Sequence, residues 1–375
     1  MKLLILIAYF IVLITIGFIC RQKATDVNGF VLGGRSVGPW LTAFAYGTSY
    51  FSAVVFVGYA GQFGWRFGIA ATWAGIGNAL IGSLLAWVIL GRRTRIMTQH
   101  LDSATMPQFF GERFQSNSLK IAASIIIFIF LIPYTASLYN GLSRLFGMAF
   151  HIDYSVCIVL MAILTAIYVI AGGYMATAIN DFIQGIVMLV GIVAIIYSVL
   201  KIHGGFSGSL APLAEVSDPA ASTVPGVFAS FFGPDPAGLA GVILLTSLGT
   251  WGLPQMVQKF YSIKSEQSIH TGTIISTMFA IIVAGGCYFL GGFGRIFNVD
   301  VASKGYDEII PTMLSNLSPL IIGITLILVL SASMSTLSSL VLTSSSTLTL
   351  DFIVPLSKKK DEKKTLIIIR AFILV

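Results

Sequence analysis

The polar chemistry of this sequence is concentrated in one apolar stretch, from Ser331 to Thr349, which carries twelve serine and threonine hydroxyls. At roughly 100° per residue, Ser335, Ser338 and Ser339 fall on one face of a helix. A row of neutral oxygens can hold a monovalent cation with few formal charges. A single hydroxyl in a membrane helix more often bonds to its own backbone or serves as a small packing residue, but packing needs only one small residue per turn. The cluster therefore predicts a cation site.

A second polar cluster interrupts the apolar segment from Leu41 to Gly58. Gly47 is followed there by Thr48, Ser49, Tyr50 and Ser52 at mid-membrane depth. Glycine beside poor helix formers is where a membrane helix can unwind, and unwinding frees carbonyls that only a cavity or an ion can satisfy. A close-packed helix contact is the alternative interpretation.

Asp181 is the only acid between Asp153 and Glu215. Ionised acids inside a membrane are costly and are usually paired or functional. The alternative is an interfacial aspartate near a helix N-terminus, where the macrodipole favours it. The neighbouring Asn180 and Gln184 extend a polar stripe, which favours a functional acid. A further break is predicted at the run from Trp251 to Gln255, where Trp251 either lines a cavity or anchors a helix end at the membrane interface.

The composition is that of a polytopic membrane protein. Of the 375 residues, 56% are hydrophobic and 10% are charged, and the mean hydropathy is +0.91. A formal net charge of +7 would suggest a nucleic-acid partner in a soluble protein. Here the basic residues lie mainly in loops on one side, so no nucleic-acid partner is expected. The cysteines are far apart and the histidines are scattered, with no metalloprotease or nucleophile-elbow motif, so an enzyme is not expected either.

Hydropathy predicts nine spans: 3–20, 40–63, 69–90, 119–150, 154–172, 179–200, 237–252, 269–292 and 319–352. The first has no cleavage site before Arg21 and is predicted to be a retained helix rather than a signal peptide. A last apolar run, 365–375, is too short to cross a bilayer, so the chain is expected to be a fragment that ends inside a helix.

If successive loops lie on opposite sides of the membrane, most basic residues fall on one side. The positive-inside rule assigns that side to the cytoplasm, which predicts a plasma-membrane protein with its N-terminus outside. These residues are Arg21, Lys23, Arg35, Arg92, Arg93, Arg95, Arg113, Lys120, Lys259, Lys264, Lys358, Lys359, Lys360, Lys363, Lys364 and Arg370. The loops 203–236 and 305–318 lie on the other side and are expected to contain short surface helices.

In order and spacing, these features resemble the sodium:solute symporter family, which includes bacterial proline, pantothenate, sugar and sialic acid carriers. The resemblance covers the whole chain, and its most specific parts are Gly172-Gly173 followed by 178–185, and the run 332–339. It implies an all-α polytopic membrane protein whose core has two five-helix repeats of inverted topology and a broken first helix. The corresponding segments are 1–37 (an extra N-terminal helix and a cytoplasmic loop), 38–202 (first repeat), 203–236 (extracellular loop) and 237–375 (an incomplete second repeat).

The resemblance also implies ligands for Na⁺. The motif places a first sodium at Thr48, Phe51, Ala332, Ser335 and Thr336, and a second sodium at Asp181, Ser335, Ser338 and Ser339. It places the solute near Tyr50, Val54, Val55, Trp73 and Trp251. Where sugar carriers have a Glu-Gln pair, this chain has Val54-Val55, so sugar hydroxyls would lack partners.

The function implied is therefore sodium-coupled uptake of a small organic solute, such as pantothenate, proline or a monocarboxylate, by alternating access. The carrier is expected to work as a monomer within the lipid bilayer. A sodium-sensing receptor or a channel-like protein is the alternative, although no pore loop or charged ring typical of a channel is visible.

Overall fold

The computed structural model describes residues 2–150, 153–315, 317–356 and 361–374, with side chains described from residue 6 onward except at 140–150, 154 and 157. This part does not include Lys358, Lys359 and Lys360, three of the basic residues that were predicted to be cytoplasmic. Within it the fold is helical, and no β-strand is formed. The helices are Lys2–Ile19, Pro39–Tyr50, Ala60–Phe67, Thr72–Gly77, Arg92–His100, Met106–Phe114, Asn117–Phe150, Tyr154–Ile202, Phe206–Glu215, Pro236–Leu248, Pro254–Ser262, Glu266–Gly291, Ile309–Ser315, Pro319–Thr347 and Glu362–Phe372.

Six of the described helical segments are long and apolar enough to cross a membrane, and a seventh is formed by the pair Pro236–Gly252 and Pro254–Ser262, bent by 54°. Two of the six, Val54–His100 and Ile158–Ile202, have 47 and 45 residues. At 1.5 Å per residue each is about twice as long as the hydrocarbon layer is thick. Gly68 and Gly173 interrupt them with φ of 62° and 55°. Val54–His100 contains the last part of the predicted span 40–63 and all of 69–90, and Ile158–Ile202 contains most of 154–172 and all of 179–200. In each segment the two parts are joined at a glycine that can adopt positive φ.

Two of the helices begin at a capping side chain that is visible in the sequence. Asp235 accepts a hydrogen bond from the Gly238 amide at the start of Pro236–Leu248, and Ser265 accepts one from the Ser268 amide at the start of Glu266–Gly291. Such caps satisfy amides that have no partner within the helix. The starts of these two helices can therefore be read from the sequence.

Glycine pairs let neighbouring helices touch backbone to backbone. A Cβ at Gly64 would overlap the backbone of Gly291, and a Cβ at Gly75 would overlap the backbone of Ala284. Gly64 and Gly75 are therefore packing positions, because close helix contact in membranes depends on small residues.

The loops predicted to share a side are in contact with one another. At one end Arg35 donates to the Ser103 carbonyl at 3.0 Å, Arg95 donates to the Lys264 carbonyl at 2.8 Å, and Arg370 donates to the Ala24 carbonyl at 3.0 Å. The grouping of these loops by hydropathy therefore agrees with the structure. Lys259 is the exception in the predicted set: it lies inside the helix Pro254–Ser262 and is only 2% exposed.

At the opposite end, Arg66 pairs with Asp235 at 2.7 Å, and Arg295 pairs with Asp218 at 3.0 Å. Hydrogen bonds lower the pKa of Asp235, the largest effect coming from the Gly238 amide and the next from the Arg66 guanidinium. Burial lowers the pKa of Arg295, and Asp218 opposes this shift. The loop helices Phe206–Glu215 and Ile309–Ser315 lie in the two loops for which short helices were predicted.

Candidate functional site

The segment predicted to unwind is interrupted in the structure. We call Pro39–Tyr50 together with 51–67 the broken helix. Its first part ends at Tyr50, and Phe51 follows with φ −101° and ψ 78°. The Val55 amide then bonds to the Ser52 carbonyl at 3.0 Å, so the usual helical partner of the Phe51 carbonyl is diverted. The chain continues as a wide π-helical turn, Val54–Tyr59. The break therefore lies at the C-terminal end of the predicted polar cluster.

The predicted hydroxyl face meets this break. We call Pro319–Thr347 the hydroxyl helix. The Ser335 hydroxyl donates to the Thr48 carbonyl at 3.2 Å and to the Ala332 carbonyl at 3.2 Å. The Thr336 hydroxyl donates to the same two carbonyls at 3.3 and 3.0 Å. All four residues are fully buried. Four of the five residues expected to hold a first sodium are thus brought together, and Phe51 lies three residues beyond Thr48.

The spacing of these oxygens suits a cation of sodium's size. A hard cation of that radius is bound by oxygens at about 2.4 Å, which places neighbouring ligands of an octahedron about 3.4 Å apart. The observed separations between the hydroxyl and carbonyl oxygens are 3.0 to 3.3 Å. All four oxygens are neutral, so the set favours a monovalent cation over a divalent one. The two hydroxyls bond to the same carbonyls beside which they would hold the ion.

Asp181 lies deep in the molecule. It is fully buried within Tyr154–Ile202, which we call the acid helix. The interpretation of Asp181 as an interfacial aspartate at a helix N-terminus is therefore wrong. Its partner is the Lys259 ammonium, 3.7 Å from Asp181 Oδ2. A buried acid with a basic partner fits the expectation that intramembrane acids are paired.

Two of the residues expected to hold a second sodium, Asp181 and Ser339, lie beside the same ammonium. Lys259 donates to the Ser339 hydroxyl at 2.9 Å, and the Ser339 and Ser49 hydroxyls are themselves 2.9 Å apart. The Ser338 hydroxyl instead donates to the Ser335 carbonyl on its own helix at 3.0 Å. Asp181 and Ser339 are thus connected through Lys259, whereas Ser338 does not contact it.

Lys259 was predicted to lie in a cytoplasmic loop because it falls between the hydropathy spans 237–252 and 269–292. The signal that reveals its position is the helix Pro254–Ser262 itself. Gln255, Gln258, Lys259 and Ser262 recur at i, i+3, i+4 and i+7, which is one face of a helix. In a membrane segment such a polar face must be turned toward other protein groups. All four residues are indeed buried.

A cavity of about 350 Å³ adjoins the break. Of the five residues expected near the solute, Tyr50, Val54 and Val55 line it. The remaining lining residues are Ser52, Tyr59, Asn78, Tyr134, Ser137, Leu245, Thr246, Gly249, Thr250, Leu253 and Tyr288. None of these residues has a charged side chain, whereas hydroxyl and aromatic groups are frequent. No local pattern in the sequence points to Tyr134 and Ser137, because contacts between distant helices are not encoded locally.

The polar groups of the cavity are held in defined positions. The Tyr50 hydroxyl donates to the Thr246 carbonyl at 2.9 Å. Asn78 Oδ1 accepts hydrogen bonds from the Thr246 and Ser247 hydroxyls at 2.8 and 3.0 Å. These bonds join the broken helix and the segment after it to the bent segment 236–262. Because the donors and acceptors are fixed in advance, a bound solute meets an ordered polar surface.

The two tryptophans expected near the solute, Trp73 and Trp251, are not among the residues that line this cavity. Trp73 donates to the Phe231 carbonyl at 3.1 Å and lines a different cavity together with Phe206. Trp251 donates to the Ile81 carbonyl at 3.0 Å and is not among the residues lining the central cavity, although Thr250 is. The Trp73 N–H therefore links the helix Thr72–Gly77 to the loop 203–236, and the Trp251 N–H links the bent pair of helices to the segment Val54–His100.

The sequence matches a known protein family over most of its length. The model of the sodium:solute symporter family matches residues 30–375. Sodium/proline symporters of Staphylococcus aureus, including those of strains JH9 and NCTC 8325 / PS 47, are 33% identical to this chain over 354 residues. The matches cover 92% of this chain and 66% of each relative. The chain thus spans slightly less than two thirds of the length of these relatives.

Two solved structures share the fold. The substrate-bound, outward-open structure of a Na⁺-coupled sialic acid symporter with a novel Na⁺ site superimposes with a TM-score of 0.81 at 17% identity, covering 99% of this chain and 78% of the other. The closed structure of Mhp1, a nucleobase-cation-symport-1 family transporter with bromovinylhydantoin bound, gives a TM-score of 0.54 at 14% identity, covering 92% and 72%. The all-α polytopic fold predicted from the sequence is confirmed, and its division into repeats stays a prediction.

Proposed function

Because the chain belongs to the sodium:solute symporter family, we propose that it carries a small organic solute across the membrane together with Na⁺. One observation carries this proposal. The Thr48 and Ala332 carbonyls and the Ser335 and Thr336 hydroxyls meet at the break of the broken helix. Tyr50, two residues beyond Thr48, lines the cavity. The cation site and the solute site therefore share one interrupted segment.

Sodium acts in this proposal by joining two helices. Thr48 belongs to the broken helix and Ser335 to the hydroxyl helix, so a cation bound by both favours the arrangement in which they are in contact. Only a difference in sodium affinity between two conformations can shift their populations. At roughly 2.3 kcal/mol per charge per 100 mV, the membrane potential supports about a 50-fold solute gradient for one net charge.

The cavity favours a small solute that carries at most one net charge. Its lining has hydroxyl, amide and aromatic groups and no charged side chain. A sugar is disfavoured because Val54 and Val55 offer its hydroxyls no partner. A carboxylate can be satisfied by the amides at the restart of the broken helix, where the helix dipole is positive. Proline, pantothenate and a short monocarboxylate fit this description, and the relatives from Staphylococcus aureus are named as sodium/proline symporters.

The proposed setting is a multi-pass protein in the plasma membrane. Contacts among Arg35, Arg95 and Arg370 and the neighbouring loops gather the basic end, which is assigned to the cytoplasm. The N-terminus is then outside. A single chain encloses both the cation site and the cavity, so the proposed carrier is a monomer in the lipid bilayer, with repeats at 38–202 and 237–375.

The test is uptake by the full-length protein in proteoliposomes. Labelled proline, pantothenate and pyruvate are each supplied under an inward sodium gradient, with choline replacing sodium in the control. Uptake of one compound only with sodium is the expected result, and it identifies the solute. Equal uptake with choline would contradict sodium coupling. Sodium binding without uptake of any solute would favour the sodium-sensing alternative, and sodium flux without saturation would favour a channel.

A further inference from the structure

A positive charge of the chain itself lies where a second sodium was expected. Lys259 Nζ is 2.9 Å from Ser339 Oγ and 3.7 Å from Asp181 Oδ2. The Lys259 side chain is 2% exposed and the Asp181 side chain is fully buried. The ammonium also lies 5.2 Å from the centre of the Tyr174 ring, within the range of a cation–π contact. A carboxylate, a hydroxyl and an aromatic face thus surround one cationic group.

The surroundings are those of a cation site rather than of a surface ion pair. Lys259 comes from the bent segment, Asp181 from the acid helix and Ser339 from the hydroxyl helix. The Ser339 hydroxyl continues to Ser49 at 2.9 Å, next to Thr48 of the first sodium site. One cation at this point therefore holds together the elements that a second sodium would hold.

We propose that the Lys259 ammonium is the permanent cation of this second site, so that the carrier binds one sodium in each cycle rather than two. The proposal rests on the sodium-coupled function proposed above. It requires no change in the protonation of Lys259 or Asp181, because both are used in their ordinary charged forms. The tethered ammonium keeps the three segments together, but it cannot be released into the cell.

Electrostatics decides against a second sodium beside the lysine. A sodium bound to Asp181 and Ser339 would lie about 4 Å from the ammonium. At an effective dielectric constant of about 20, the repulsion between two unit charges at that distance weakens binding roughly 1000-fold. Replacing Lys259 by an uncharged residue removes this repulsion and leaves the Asp181 carboxylate without a partner. The vacated site then has the ligands and the charge to take up a sodium.

The test is the stoichiometry of ²²Na⁺ bound by purified full-length protein, measured without solute and with choline as the balancing cation. We expect one sodium per wild-type protein and one per Lys259→Arg protein, since arginine keeps the charge. Lys259→Met should bind two. The double variant Lys259→Met/Asp181→Asn should return to one, because it lacks the carboxylate that would hold the additional ion.

Each outcome discriminates. Two sodium ions on the wild-type protein would overturn this inference and leave the proposed function standing, and this measurement does not depend on the folding of any variant. A folded Lys259→Met protein that binds one sodium with unchanged affinity would also overturn it, since the lysine would then have only a structural role. If the wild-type protein bound no sodium, the sodium-coupled function itself would fail.

Discussion

Replacing Thr336 by valine keeps the shape of the side chain and removes its hydroxyl, and we expect it to weaken sodium binding selectively. The hydroxyl lies 3.3 Å from the Thr48 carbonyl and 3.0 Å from the Ala332 carbonyl, inside the proposed first sodium site. Ser335→Ala removes the other hydroxyl, which lies 3.2 Å from the same two carbonyls. The effect should therefore be similar for both variants.

The magnitude follows from the number and type of ligands. Hydrogen bonds to charged groups contribute about 1.5–3 kcal/mol, and we take this range for the contact between a buried hydroxyl and a cation. A loss of that size raises the half-saturating sodium concentration by roughly 10-fold to 150-fold. The two hydroxyls contact the same carbonyls, so their losses need not be additive. Folding should be affected much less, because both carbonyls remain in or beside a helix.

The assay is ²²Na⁺ binding at increasing sodium concentration, supplemented by initial rates of sodium-driven uptake for the transported solute. Ser345→Ala is the matched control. Ser345 is also buried on the hydroxyl helix, but its hydroxyl bonds only to the Leu342 carbonyl of that helix, at 3.1 Å. If Thr336→Val and Ser345→Ala bound sodium alike, the hydroxyls at the break would be packing groups and the first site would be misplaced.

Further predictions concern the packing, the outer end and the cavity. Gly64→Ala should lower the melting temperature of the detergent-solubilised protein by an amount corresponding to roughly 1–3 kcal/mol, because the new methyl group overlaps a neighbouring backbone. The control variant Gly241→Ala has open space around it and should change the melting temperature little; equal effects of the two variants would refute the close contact at Gly64. Arg295→Ala should lower the melting temperature more than Arg66→Ala, since the Arg295 side chain is 8% exposed and the Arg66 side chain 56% exposed; the reverse order would contradict this assignment. Asn78→Ala should raise the half-saturating solute concentration about 10-fold, because two hydroxyls lose their acceptor, while ²²Na⁺ binding without solute should be unchanged; an unchanged solute requirement would remove Asn78 from the solute site.

The sequence was most informative where function breaks a local rule. A hydroxyl-rich face in an apolar helix and a glycine followed by poor helix formers both conflict with ordinary membrane helices. Both predicted where Ser335 and Thr48 would matter, and the structure brings these two residues together. The resemblance also placed Trp73 near the solute, whereas its indole donates to the Phe231 carbonyl in the loop 203–236 and lines a cavity other than the one at the break. Periodicity identifies which face of a helix is polar, but it does not identify the segment that the face meets.

Lys259 shows how a charge balance could have corrected the topology. A fully buried aspartate at position 181 requires a compensating cation, because an isolated charge in a dry interior is costly. The sequence alone allowed that cation to be a sodium, and Lys259 was assigned to a loop because it lies between two hydropathy spans. The observation that places Lys259 in a helix is a polar face at helical spacing, which a loop would not need. This face is formed by Gln255, Gln258, Lys259 and Ser262. An unpaired acid predicted inside a membrane should therefore be matched first against basic residues on polar helical faces, and only then assigned an ion from solution.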